Sequence, residues 1–135
     1  MMSNQPLTVH APVAAATPPG LDPEALARLS ELDPKGENQL LERVLRAFQT
    51  SAARLMPQLE AARLSHDRAT VRLVAHTLKS SSASIGALGL SQVCAQIEAL
   101  IRAESADDLD PLLHTMRSAL GAALNAIQRL LDGGK

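Results

Sequence analysis

At 135 residues, of which 46% are hydrophobic and mostly Ala and Leu, the chain is long enough for one domain with a helical core. One Phe and no Trp or Tyr leave it without the aromatic residues that sheets favour, or the stacking platforms that single-stranded nucleic acids need. A formal net charge of −1 gives no reason to expect nucleic acid or an anionic membrane as partner, and the single Cys94 excludes an internal disulfide.

No apolar run approaches the roughly 20 residues that span a bilayer, so no membrane association is expected. The N-terminus has neither a basic region nor a sustained apolar stretch, so no signal peptide is expected there. With the unpaired cysteine, this predicts a cytoplasmic location.

Residues 1–20 carry no Asp, Glu, Lys or Arg and hold four of the eight prolines, Pro6, Pro12, Pro18 and Pro19. Such a segment sustains neither a helix nor a core, and it reads as a flexible tail or linker ahead of a domain over 21–132. A short helix is predicted from Asp22-Pro23, an acidic cap followed by proline at the first helical position, to about Leu32. Asp33-Pro34-Lys35-Gly36 reads as a turn. A long helix should follow from about Glu37 to Leu64, with Leu41, Val44, Phe48, Leu55 and Leu59 on its apolar side. Pro57 lies inside it and should kink or break it.

Ser65-His66-Asp67 is placed to cap a helix running to about Ile85, where Gly86 stops it. The next helix, Leu88 to about Ala103, turns Leu90, Val93, Cys94, Ile97, Leu100 and Ile101 inward. Cys94 is thereby a small core residue rather than a reactive one. Asp110-Pro111 repeats the acid-plus-proline start, and the last helix carries Leu113, Met116, Leu120, Ala123, Ile127 and Leu130 at 3- and 4-residue steps. Four long amphipathic helices with short connections predict an all-α antiparallel up-down-up-down four-helix bundle, the short first helix lying across one end.

One position stands out on this scaffold. In the helix after Asp67 the apolar residues Val71, Val74, Leu78 and Ile85 share one side, and His76 lies on the other, flanked by Arg72, Lys79, Ser80 and Ala83. Positions three apart on a helix are neighbours, so the Lys79 ammonium can reach a group attached to the His76 ring. A water-facing imidazole beside a cation, ringed by small side chains, suits a nucleophile that receives an anionic group from a large partner. His76 is mid-helix, where no free backbone N–H is on offer, so a side-chain cation is the economical counter-charge. The other histidines, His10, His66 and His114, have no such setting, and no set of His, Cys and carboxylates has metal-ligand spacing.

The run His76-Thr77-Leu78-Lys79-Ser80-Ser81-Ser82, followed by Gly86-Ala87, resembles the signature of histidine-containing phosphotransfer (HPt) domains of two-component phosphorelays. That signature is His-x-Leu-Lys-Gly-Ser, then Ser or Ala, with a Gly a few residues on. The similarity extends through Leu90 and Cys94 to Glu98 and loosely covers residues 22–131; Ser80 stands where the family most often has Gly.

The resemblance implies that His76 accepts a phosphoryl group from a receiver-domain aspartate and passes it to, or exchanges it with, another receiver. It implies Glu98, on the next antiparallel helix, as the group that orients the imidazole, with Lys79 and Ser80 steadying the phosphoryl group. The docking face would comprise Leu26, Leu29, Arg72, Thr77, Lys79, Ser80 and Ala83. The partners implied are receiver domains of response regulators and hybrid sensor kinases, with the chain a monomer. No cofactor is expected, Mg²⁺ belonging to the partner's acidic pocket. No nucleotide-binding motif is present, so no kinase activity of its own is expected. The competing readings are a helical adaptor that binds a receiver or kinase without taking phosphate, and a hydrolase using His76 with Glu98.

Overall fold

The computed structural model describes residues 20–133. The expected tail, but for Gly20, lies outside them, as do Gly134 and Lys135. Among the described residues there are five helices and no strand: α1 Pro23–Glu31, α2 Leu40–Leu64, α3 Arg68–Ser84, α4 Leu88–Arg102 and α5 Asp110–Leu131. The packing runs α2 on α3, α3 on α4, α4 on α5 and α5 back on α2, while α1 rests on α2; the α3–α4 seam is the most extensive. The class is all-α, a helical bundle with a short extra helix at its N-terminal side.

The apolar stripes explain the packing. Leu45, Phe48, Ala52, Leu55 and Leu59 of α2 are buried with Val71, Val74, Ala75 and Leu78 of α3. Leu90, Val93, Cys94 and Ile97 of α4 and Leu113, Met116, Leu120 and Ile127 of α5 complete the core. Fully burying one such Leu or Ile is worth about 1.5–3 kcal/mol. Ser82 is also fully buried, and its hydroxyl has no partner among the described residues.

Several ends differ from what the sequence predicts. α2 starts at Leu40, three residues later than expected, because the Asp33 carboxylate accepts from the backbone N–H groups of Asn38 and Leu40. Gly36 and Gln39 take left-handed conformations to bring the chain round to it. The cap is therefore supplied across seven residues, which a local pattern does not reveal. α2 continues through Pro57 without a break.

Asp67 caps α3 as expected, accepting from Thr70 N–H at 3.1 Å. Asp22 occupies the N-cap position of α1 without using its side chain as a cap. At α5 the N-cap is Leu109, and Asp108 accepts from the Asp110 N–H, so the acid that serves this helix start lies two residues before the predicted one.

Gly86 does more than end α3. Its φ is +81°, and its carbonyl accepts a 2.8 Å bond from the Asp22 N–H, which ties α1 to the α3–α4 turn. A side chain there would meet Asp22 backbone atoms at 2.7–2.9 Å. α1 has nine residues, too few for an isolated helix to persist in water. It is held by this contact and by burial of Ala25 and Leu26.

Gly86→Ala should therefore combine the left-handed penalty, about 1–2 kcal/mol, with displacement of α1. Urea denaturation should show a loss at or above that range. Hydrogen exchange should show α1 losing protection ahead of α2–α5.

Candidate functional site

The α3–α4 seam positions the site. The two helices run antiparallel, and the Ser91 hydroxyl of α4 donates to the Lys79 carbonyl of α3 at 2.9 Å, pinning their register. This register sets Glu98 of α4 beside His76 of α3. The Glu98 side chain is 2% exposed, while the His76 side chain is 59% exposed and open to solvent.

Three nitrogen groups converge on the Glu98 carboxylate. His76 Nδ1 is 2.9 Å from Oε2, Lys79 Nζ is 2.7 Å from Oε1, and an Arg102 Nη is 2.7 Å from Oε2. A nearly buried carboxylate is costly unless paired; Oε2 is hydrogen-bonded, while Oε1 meets Lys79 as an ion pair without hydrogen-bond geometry. The Lys79 ammonium, and after it the bond from His76, outweigh burial and lower the Glu98 carboxyl from 4.5 to about 2. Glu98 is thus ionised near neutral pH and accepts only. The hydrogen between Glu98 and His76 must then reside on Nδ1, which in a neutral ring leaves the Nε2 lone pair free on the exposed side.

Of the other expected site residues, Arg72, Ser80 and Ala83 are exposed on α3 at four before, four after and seven after His76. Thr77 is half-buried, its hydroxyl donating to the Leu73 carbonyl. Lys79 is adjacent to His76 as its spacing requires, but its ammonium is engaged with Glu98 rather than standing free. Leu29 is half-buried.

Leu26 requires a correction: at 0% exposure it lies in the core and presents no side chain to a partner. A nine-residue helix spends its best apolar residue on its own attachment, which the docking expectation ignored.

Two residues escaped the sequence reading. Arg102 was legible as an i, i+4 partner of Glu98 once Glu98 was singled out. Leu73, three residues before His76, is 63% exposed, a large apolar side chain left in water beside the site.

Cys94, one turn before Glu98, is fully buried, and burial, with the Glu98 charge added, pushes its thiol up to about 12. It is a packing residue whose Sγ lies 3.5 Å from Met116 Sδ. Among the described residues no group of three or more His, Cys, Asp or Glu side chains could hold a metal ion, and no helix is long and apolar enough to cross a membrane.

An exposed imidazole on a helical bundle, backed by a paired carboxylate from the neighbouring helix, defines the class. The sequence model of the Hpt domain family matches residues 43–131, about two thirds of the chain, and the chain belongs to that family. Its role is that of a phosphotransfer module in two-component signalling.

The fold is similar to that of the histidine-containing phosphotransfer protein B crystal structure from Pseudomonas aeruginosa. The TM-score is 0.73 and the identity 23%, with 82% of this chain and 93% of that one covered. No curated protein matches the chain significantly.

The depressed Glu98 value carries a sign. A carboxyl lower in the folded than in the unfolded state stabilises the fold fully above its unfolded value, and that contribution disappears as pH falls to the folded one. Glu98→Gln should therefore be less stable than the parent at neutral pH. The gap should shrink between about pH 4.5 and about pH 2. Urea denaturation at pH 7, 5 and 3 measures it; an equal gap at pH 7 and pH 3 would show the ion pairs to be energetically idle.

Proposed function

We propose that His76 accepts a phosphoryl group from the aspartyl phosphate of one receiver domain and delivers it to the aspartate of another. The observation that carries this reading is the 2.9 Å contact between Nδ1 of an exposed imidazole and a buried, ionised Glu98. In the step, the Nε2 lone pair attacks phosphorus, the Nε2–P bond forms and the bond from phosphorus to the aspartate oxygen breaks. The aspartate leaves as a carboxylate. No proton needs to move. The ring becomes an N-phosphorylated imidazolium that keeps its Nδ1 hydrogen, and the Glu98 charge faces the positive charge as it develops. This is the part a buried carboxylate plays behind other reacting histidines. The reverse step runs through the same groups.

Lys79 offsets the charge that arrives with the phosphoryl group, and the exposed Ser80 hydroxyl, one turn from His76, is a second donor to it. Docking falls to Arg72, Thr77, Lys79, Ser80 and Ala83, with Leu29 at the edge; Leu73 adds an apolar contact suited to a transient interface. The partners are receiver domains of response regulators and hybrid sensor kinases, whose acidic pockets bring the Mg²⁺. The bundle over 21–132 acts as one domain and as a monomer in the cytoplasm. It has no ATP-dependent kinase activity, and its phosphate comes only from a partner.

The test is incubation with a purified receiver and acetyl phosphate, reading acid-labile, base-stable phosphate on the chain. The parent should label. His76→Gln should keep its helical circular dichroism, because the ring is solvent-facing, and should not label. A parent that binds the receiver but never labels would make the chain an adaptor. Labelling that survives in His76→Gln would move the acceptor elsewhere.

A further inference from the structure

The Glu98 carboxylate holds two donors by hydrogen bonds and one cation by an ion pair, and they are unequally placed. Lys79 alone is on Oε1, while His76 and Arg102 share Oε2. Arg102 spends one Nη contact there, and its side chain is 64% exposed. A guanidinium has five N–H donors in a planar fork that matches both oxygens of a carboxylate. Among the described residues Arg102 is therefore bound at one point, with the rest of its fork uncommitted, one helical turn from Glu98 on the same helix.

Lys79 cannot give its full charge to a phosphoryl group on Nε2 while it sits 2.7 Å from Oε1. As the ammonium turns outward, Oε1 loses its only cation on a side chain 2% exposed to water. Leaving that oxygen bare would weaken the group that holds the His76 ring.

We propose that Arg102 is a positioning residue that closes its fork over both oxygens of Glu98 when Lys79 turns to the phosphoryl group. Glu98 stays charged and stationary behind His76 throughout. This deepens the acceptor reading of His76 and rests on it. The division of labour follows from the side chains: the flexible lysine moves, and the planar arginine, anchored four residues along the same helix, takes the vacated oxygen.

The first test needs no phosphate. Lys79→Gln removes the ammonium, and carbon NMR titration of the Glu98 carboxyl reads what replaces it. The carboxyl should still titrate below 4.5 in Lys79→Gln. It should titrate clearly higher in Lys79→Gln with Arg102→Gln, where His76 is the one partner left on it. If the single variant rises as far as the double, Arg102 does not take over and the proposal fails.

The second test follows transfer from a receiver under saturating conditions. Arg102→Gln should slow it about ten-fold, the scale of one lost charge contact, with receiver affinity unchanged. Arg102→Lys should recover only part of the rate, since an ammonium covers one oxygen at a time. An unchanged rate in Arg102→Gln, or full recovery by lysine, would overturn the fork exchange. Failure of His76 to label at all in the parent would instead remove the reading beneath it, an outcome distinct from either.

Discussion

A carboxylate placed almost wholly out of water between two helices constrains everything near it. Glu98 is tolerable there only because nitrogen donors from both helices reach it: His76 and Lys79 from α3, Arg102 from α4. Those contacts fix the ring of His76, decide which ring nitrogen carries hydrogen, and engage the lysine that a phosphoryl group would otherwise find free. The α3–α4 seam is the most extensive of the bundle, and Ser91 locks its register. The precision of the site is thus a property of the scaffold, built on helices rather than loops.

The scaffold follows from residues of ordinary kind. Alanines such as Ala52, Ala75, Ala123 and Ala126 occupy core positions beside leucines, which matches a chain almost without aromatic residues. The costs are local: among the described residues, a buried Ser82 hydroxyl and Glu98 Oε1 without a hydrogen-bond partner, and non-glycine residues in left-handed conformations at Gln39, His66 and Glu104. All three of those lie where one helix ends or the next begins. α1 precedes the stretch that matches the Hpt domain family, and it is joined to that stretch by the Gly86–Asp22 contact. A positive φ and a lack of space make glycine the fitting residue there.

Much of this was legible in the sequence, for reasons that differ by residue. Val71, Val74, Leu78, Ile97 and Ile127 follow helical periodicity, and periodicity is what a packed helix obeys. His76 stood out because, on the polar face, it has a cation three residues on and small side chains around it.

What could not be read depends on tertiary contacts. The start of α2 hinges on Asp33 reaching across seven residues. The burial of Leu26 reflects the need of a nine-residue helix to anchor itself. The role of Gly86 against α1 joins residues far apart in the chain. The spacing of Arg102 from Glu98 was legible, but not that it pairs with a buried carboxylate, because a surface i, i+4 pair has the same spacing.

The account turns on one atom, Nε2 of His76. Nitrogen and phosphorus NMR of the chain, imidazole-labelled and phosphorylated by a receiver, reads both ring nitrogens at once. The account predicts phosphorus coupled to Nε2 of His76, with Nδ1 still protonated and its hydrogen shifted by the bond to Glu98. Phosphorus on Nδ1, or on any other side chain, would contradict it, because Nδ1 would then have had to give up the carboxylate around which the site is built.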